Sequence, residues 1–476
     1  MYSPCPLCEL VFFGSVFSVR TRSFFLGSPA TFYVIILSNG KKRVKAMFEM
    51  PETITYALPE RIGNTDLFVG RKKEFDYYLG DWYYYLVNNM ARSQAIVARR
   101  RKGKTAFLER LFNILWSCSE SKVIPFFYVM QERQITLASF AKDFFATFVS
   151  HYLSFLTRNK DWVLSPLNYM EMKKYITQYP DLYKKSISID EFEKTGNWDL
   201  MWSVARRTPF DIAVSTGVKV VQIIDEFQNI NAYIVNERGK TIDSMSGAYR
   251  DLAERKEAPL IVSGSEVHRL LEILCRLTAG FAENVLENLP EEEAKEAVWK
   301  YAQATDTRID EHAVEKIWNL TQGDPLYLKA LFLTRYNDTQ DYTNEDNIVA
   351  TYTQEITRGE IYGIWGEYIA AFFLEANERD AKRIMLYLFQ AGEERTRAQI
   401  IKDLKLDMTD DELETKLQKL IKADLISQGE TNFDYKIEKD KTYELVFRRL
   451  FQEEIDNCIP DIRKELRQEM DGNAKL

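Results

Sequence analysis

Gly103-Lys104-Thr105, preceded by the cationic run Arg99-Arg100-Arg101-Lys102 and the apolar stretch Gln94-Ala95-Ile96-Val97-Ala98, is the pattern in this chain with the most chemical content. It reads as a strand that breaks into a tight loop and opens a helix at Ala106-Phe107-Leu108-Glu109-Arg110-Leu111. A helix start presents free backbone N–H groups and a partial positive charge, so a phosphate is stabilised there. In such a loop Lys104 neutralises the β- and γ-phosphates of a nucleoside triphosphate, and the Thr105 hydroxyl ligates Mg²⁺. Ala98 through Ala106 are therefore candidate nucleotide ligands. Ala98 stands where the usual pattern has its first glycine, which the loop tolerates only if φ there is negative.

Taken alone, a basic Gly-Lys-Thr is also what a solvated loop looks like; a second motif decides between the two. Val218-Lys219-Val220-Val221-Gln222-Ile223-Ile224-Asp225-Glu226 is an almost unbroken β-branched run ending in two acids. Strands buried on both faces of a parallel sheet have this composition, and ligands gather at their carboxyl ends. Asp225 is placed to hold the Mg²⁺ shell and Glu226 to polarise the water that attacks the γ-phosphate.

These elements need a fold of known kind around them. With 476 residues, 46% hydrophobic and 13% aromatic, the chain has enough apolar surface for two or three domains. Net charge is −8, so nothing global draws it to nucleic acid or anionic membrane. Five cysteines, odd in number and scattered, point to a reducing compartment, hence the cytoplasm, rather than to a disulfide framework. Cys5-Pro6-Leu7-Cys8 lacks a second pair, which argues against structural zinc. The apolar runs Leu10–Val19 and Phe24–Leu37 are shorter than the ~20 residues a bilayer span requires. Residues 1–46 read as a poorly structured extension, with Met47 or Met50 as an alternative start. No membrane association is favoured.

Further motifs resemble those of a family. Phe68-Val69-Gly70-Arg71-Lys72-Lys73-Glu74-Phe75, the loop Ala98–Thr105, and Asp225-Glu226-Phe227-Gln228 are similar to successive boxes of the STAND-type ATPases, in particular the archaeal-type group within the AAA+ -like P-loop superfamily. The resemblance spans about Thr65 to Phe451. It implies ATP and Mg²⁺ as ligands, with Gly70 and Arg71 near the adenine end. It also implies that Ser263 and Ser265, after the strand Pro259–Val262, act as sensors of the γ-phosphate. Pro325, in Gly323-Asp324-Pro325, resembles a box in the helical lid that approaches base and ribose. One departure stands out: Phe281 replaces the arginine expected before the last strand, Asn284–Leu289. Arg269 and Arg276 are the nearest substitutes in the sequence.

The expected organisation is an α/β P-loop NTPase core with a parallel sheet flanked by helices over 47–289, a helical lid over 290–378, a winged-helix domain over 379–451 and a helical tail over 452–476. In the winged helix, Ala381–Gln390, Thr396–Leu404 and Asp410–Ala423 are the helices, with Leu425–Ser427 and Tyr435–Tyr443 as wing strands. A DNA-reading third helix needs basic or amide side chains at its entrance. Here that entrance is Asp410-Asp411-Glu412, with Lys416, Lys419 and Lys422 only later. The reading is a nucleotide-driven switch with slow ATP hydrolysis and a protein partner of unknown kind. Nucleotide-dependent self-association is implied by the resemblance. Two alternatives stay open: a nucleotide-bound scaffold without hydrolysis, motivated by Ala98 and Phe281, and a DNA-binding regulator resembling initiator ATPases.

Overall fold

In the computed structural model the described residues are 48–277, 280–336, 340–376, 379–431 and 433–471, together with the backbone of four strands between 11 and 46. Those four, Val11–Phe13, Val16–Val19, Tyr33–Ser38 and Lys41–Ala46, form an antiparallel meander in chain order. These strands lie within the segment read as an extension. Met47, offered as a start, lies outside the described residues, as do Cys5 and Cys8.

The central sheet has five strands: β1 (Ser93–Val97), β2 (Val123–Val129), β3 (Lys219–Asp225), β4 (Leu260–Gly264) and β5 (Phe281–Val285). Their order is β5-β1-β4-β3-β2, and every pairing is parallel. All of β1 and β4, and β3 from Val220 onward, are buried, as unbroken apolar runs covered by helices on both faces should be. Gly264 lies opposite Val97, and Val262 opposite Ile224. The loops after β1, β3 and β4 therefore leave the sheet along one edge. This is the α/β fold with a parallel sheet flanked by helices that the motifs implied.

The fifth strand begins earlier than the sequence suggested, at Phe281 rather than Asn284. Phe281–Val285 pair residue for residue with β1. Glu287 to Leu289 run on to other work: the Glu287 carbonyl accepts from Arg71, and the Leu289 N–H donates to Gly323 O at 3.0 Å.

Between β2 and β3 the aromatic helix Leu137–Thr157 packs on the sheet, with Phe144 and Phe148 set edge-on to Phe126. Its stripe is core, as helical spacing of aromatics indicates. His151 sits in this core, its Nδ1 accepting the Phe127 N–H at 3.3 Å. Burial pushes its pKa down to about 3. The fold thus keeps this imidazole neutral, whereas the unfolded chain takes up a proton below pH ~6.5. Stability falls as pH drops through that window, by about 1.5–2 kcal/mol between pH 6.5 and 5. Denaturant unfolding at the two pH values checks this; a His151→Gln variant with the same acid loss would remove the assignment.

A second core holds the rest, from Leu289 to Met470, and takes in Leu67 and Val69 from the segment before β1. Helix α1 (Lys104–Ser117) follows the phosphate loop in the first core; α2 (Glu291–Ala304), α3 (Glu311–Thr321), α4 (Pro325–Phe332), α5 (Glu345–Arg358) and α6 (Glu360–Ala376) build the second. Helices α7 (Arg379–Ala391), α8 (Arg397–Leu404) and α9 (Asp410–Lys422) come next, with a small sheet of Arg395–Thr396, Asp434–Lys436 and Ser427–Gln428 in that spatial order. The three helices and the hairpin occur in the order expected; the strand Arg395–Thr396 between the first two helices is an addition to it. The hairpin is shorter than expected, because within Tyr435–Tyr443 the strand stops at Lys436. Lys441 opens α10 (Lys441–Asp456), where the Asp440 side chain caps the Tyr443 N–H. Tyr443, Val446 and Phe447 are fully buried, a spacing of three and four that only a helix directs to one face. Helix α11 (Ile462–Met470) packs on α3 and α5. No helix among the described residues is long and apolar enough to cross a membrane.

Candidate functional site

β1 ends at Val97, and the chain turns through Ala98–Gly103 into α1. Gly103 occupies the N-cap at φ 83, a left-handed geometry that favours glycine. Arg101 also sits at positive φ, 67, whereas Ala98 does not. The missing first glycine is therefore no obstacle. The buried Lys104 ammonium folds back over the loop and donates to the carbonyls of Ala98 and Arg99 at 2.5 and 2.7 Å. Burial pulls its pKa down to about 8, opposed by the charges of Glu226 and Asp225.

Across the edge of the sheet, Asp225 at the end of β3 reaches the same point. Thr105 Oγ1 donates to Asp225 Oδ2 at 2.6 Å, and Ser263 Oγ, on β4 between the two, donates to Asp225 Oδ1. Ser263, which the resemblance implies as a sensor, thus braces the acid. Glu226 has φ 54, which turns its side chain out of the strand line. Its Oε2 accepts from Ser265 Oγ at 2.7 Å, Ser265 N at 3.2 Å and Gln228 Nε2 at 2.5 Å. Thr105 and Asp225 offer hydroxyl and carboxylate oxygens side by side, the hard donor set that suits Mg²⁺.

Lys104, Thr105, Ala106, Glu226, Ser265 and Pro325 line one cleft of about 460 Å³ between the sheet edge and α4. Arg100 and Arg101 line it too, as do Arg61 and Lys329, which no sequence signal marked. At one end it shares Gly103, Ala106, Tyr301 and Pro325 with a narrow apolar hollow, also walled by Phe68, Val69, Leu289 and Leu328. A charged trough that runs into an apolar hollow is a layout that suits a polyphosphate joined to an apolar group.

Two expected ligands, Arg99 and Lys102, turn elsewhere, and a third, Arg71, lines the apolar hollow while it braces the loop. Arg99 forms an ion pair with Glu438 at 2.8 Å and lies over the Tyr443 ring. Lys102 donates to Asn288 Oδ1 at 2.5 Å and Asp324 Oδ2 at 2.6 Å. Arg71 donates to the carbonyls of Glu287 and Lys102, both at 2.7 Å, which braces the loop from behind. Their side chains tie the phosphate loop to its surroundings rather than facing the cleft through their charges. Gly70, at φ 78, allows the close approach of Glu293, whose carboxylate would lie 2.4 Å from any added Cβ. That carboxylate accepts the Arg71 and Lys72 N–H groups instead. Arg269 and Arg276 pair with Glu266 and Glu272, outside the residues that line the cleft.

With this geometry in place, the comparisons are informative. No family model and no curated protein matches the chain. Among solved structures, a Walker-type ATPase of Pyrococcus abyssi superposes with TM-score 0.54 at 15% identity, over 82% of this chain and 97% of that one. The chain has the fold of a P-loop ATPase. The ORC2 protein of Aeropyrum pernix (TM-score 0.43, 12% identity, 86% and 99% covered) and the RuvB Holliday junction branch migration motor of Thermotoga maritima (TM-score 0.34, 14% identity, 82% and 98% covered) show only a general likeness.

Proposed function

We propose that this chain binds ATP with Mg²⁺ between the sheet edge and α4 and hydrolyses it slowly, as a nucleotide-driven switch of the STAND-like kind, in the cytoplasm. The observation that carries this reading is the 2.6 Å contact between Thr105 and Asp225, with Lys104 and Glu226 in the same cleft. Residues from two distant parts of the chain form a phosphate-loop and metal-acid pair, which a solvated basic loop does not explain. Bound Mg²⁺, held by Thr105 and Asp225, would supply charge neutralisation between the β- and γ-phosphates. Lys104 exchanges the Ala98 and Arg99 carbonyls for phosphate oxygens, and the N–H groups from Gly103 to Ala106 bind the β-phosphate. Glu226 accepts the proton of the attacking water.

The coupling half of the proposal rests on Arg99 and Lys102, which connect the loop to Glu438 and to Asp324. We read residues 379–451 as a winged-helix module that reports the state of the site to a partner or to a second copy. A DNA-reading role is disfavoured by the entrance of α9: Asp410, Asp411 and Glu412 fill its first turn. The nearby Arg397 is already paired with Asp410 and Glu414.

Equilibrium binding of ATP to the full chain tests the site. Lys104→Ala is expected to weaken affinity about tenfold or more. In the wild type, the affinity also depends on pH with a definite sign. Phosphate binds the charged ammonium, and the free site loses that charge above pH ~8, so binding above it requires proton uptake. The apparent Kd rises about tenfold from pH 7 to pH 9. Unchanged affinity in Lys104→Ala would sink the assignment.

A further inference from the structure

Arg100 is the one arginine of the phosphate loop that both lines the cleft and touches the C-terminal half. Its guanidinium lies 5.6 Å from the centre of the Tyr368 ring, on α6, and 3.8 Å from the Glu266 carboxylate. Glu266 follows Ser265, the residue that holds Glu226, so Arg100 stands on the side of the loop where the γ-phosphate belongs. Its charge is also felt by Lys104. The contrast with Arg99 is physical. Arg99 has a side chain 18% exposed and an ion pair at 2.8 Å, whereas Arg100 is 44% exposed with its acid at 3.8 Å. A long ion pair and a half-exposed ring contact are weak holds, and a multiply charged phosphate competes with them.

Resting on the ATPase reading above, we propose that Arg100 is the site's own γ-phosphate cation, held aside on Tyr368 and Glu266, and that it supplies in cis the charge Phe281 cannot. As the water oxygen bonds to the γ-phosphorus, the bond to the β–γ bridging oxygen breaks and the water proton passes to Glu226. Negative charge then builds on the γ-oxygens and on the departing β-phosphate of ADP. Arg100, freed from Tyr368, neutralises that charge and leaves ADP and inorganic phosphate as products. Tyr368 donates its hydroxyl to Ala423 O at 2.6 Å. The next residue, Asp424, accepts the His268 N–H at 2.9 Å and offers its carbonyl to Arg99. Availability of Arg100 is thereby linked to the docking of the turn after α9.

The test measures kcat and KM for Mg-ATP, with equilibrium binding of ADP, in the full-length wild type, Arg100→Ala, Arg100→Lys and Glu266→Gln. Arg100→Ala is expected to lose about 10²-fold in kcat with ADP affinity within threefold. Arg100→Lys should recover about tenfold of this loss, and Glu266→Gln should raise kcat two- to fivefold by loosening the hold. Arg100→Ala turnover within threefold of wild type overturns the assignment of Arg100 alone. So does a loss of ADP affinity as large as the loss of kcat, which marks a structural role. A wild-type chain that binds no ATP overturns the ATPase reading and this inference with it. Binding without any turnover selects the scaffold reading and removes Arg100's task.

Discussion

Replacing Glu226 by glutamine will lower steady-state ATP turnover by about 10²–10³-fold while Mg-nucleotide affinity stays within about threefold. The glutamine side chain matches the glutamate in shape and keeps an oxygen for the Ser265 hydroxyl and amide, so the cleft should hold its form. What it loses is the ability to take a proton from water. The three donors that converge on Oε2, 2.5 to 3.2 Å away, fix the carboxylate at the wall of the cleft. A rate measured by phosphate release, with binding followed in parallel, separates the two effects. Wild-type turnover in Glu226→Gln would move the base elsewhere; Glu132, which lines the same cleft, would be the next residue to examine.

Lys102→Met will destabilise the C-terminal half by about 3–5 kcal/mol, the usual cost of leaving one partner of a buried ion pair alone. The Lys102 and Asp324 side chains are 10% and 5% exposed, at 2.6 Å. Asp324 also caps α4 through the Leu326 N–H at 2.8 Å and the Tyr327 N–H at 3.4 Å. A second acid, Asp440, is buried nearby and takes a hydrogen bond from the Tyr327 hydroxyl at 2.7 Å. Burial and the Asp324 charge both push its carboxyl pKa up. Removing Lys102 takes its counter-charge from Asp324 and from Asp440, each of which feels it. Methionine keeps the length and the apolar stem, so the loss reports charge rather than volume. Combining Lys102→Met with Asp324→Asn should restore a large part of the stability, because the orphaned charge goes too. Denaturant unfolding followed by fluorescence of Trp318 and Trp365, both in the second core, reads the effect. A single variant within 1 kcal/mol of wild type would show that the pair is not a hinge point between loop and lid.

Much of the site was legible because its chemistry is local. A glycine before a lysine and a threonine at a strand-to-helix turn, and two acids closing a β-branched run, each need only a few neighbouring residues to function. The elements that carry them were readable from unbroken burial in the strands and from helical spacing in α7, α8 and α9. Legibility failed where two periods overlap or where a strand's end depends on its neighbour. Tyr435–Tyr443 alternates well enough for a strand, yet Asp440 caps a helix whose buried residues lie further on. Phe281–Val285 became the fifth strand because β1 ends at Val97 and residues beyond Val285 are needed by Arg71 and by the lid.

Residue chemistry and order along the chain therefore pointed to a Gly-Lys-Thr turn and an acidic strand end, and to a parallel sheet that brings them together. Only the tertiary structure decided where the loop's other cations go. Arg99, Arg100, Arg101 and Lys102 are interchangeable as text, because charge alone says nothing of direction. Once Gly103 and Arg101 adopt left-handed backbone, successive side chains fan out. One then meets Glu438, one Tyr368, one the open cleft and one Asp324. Those three partners lie 222 to 339 residues away in the chain, and only packing of the second core against the first brings them within reach.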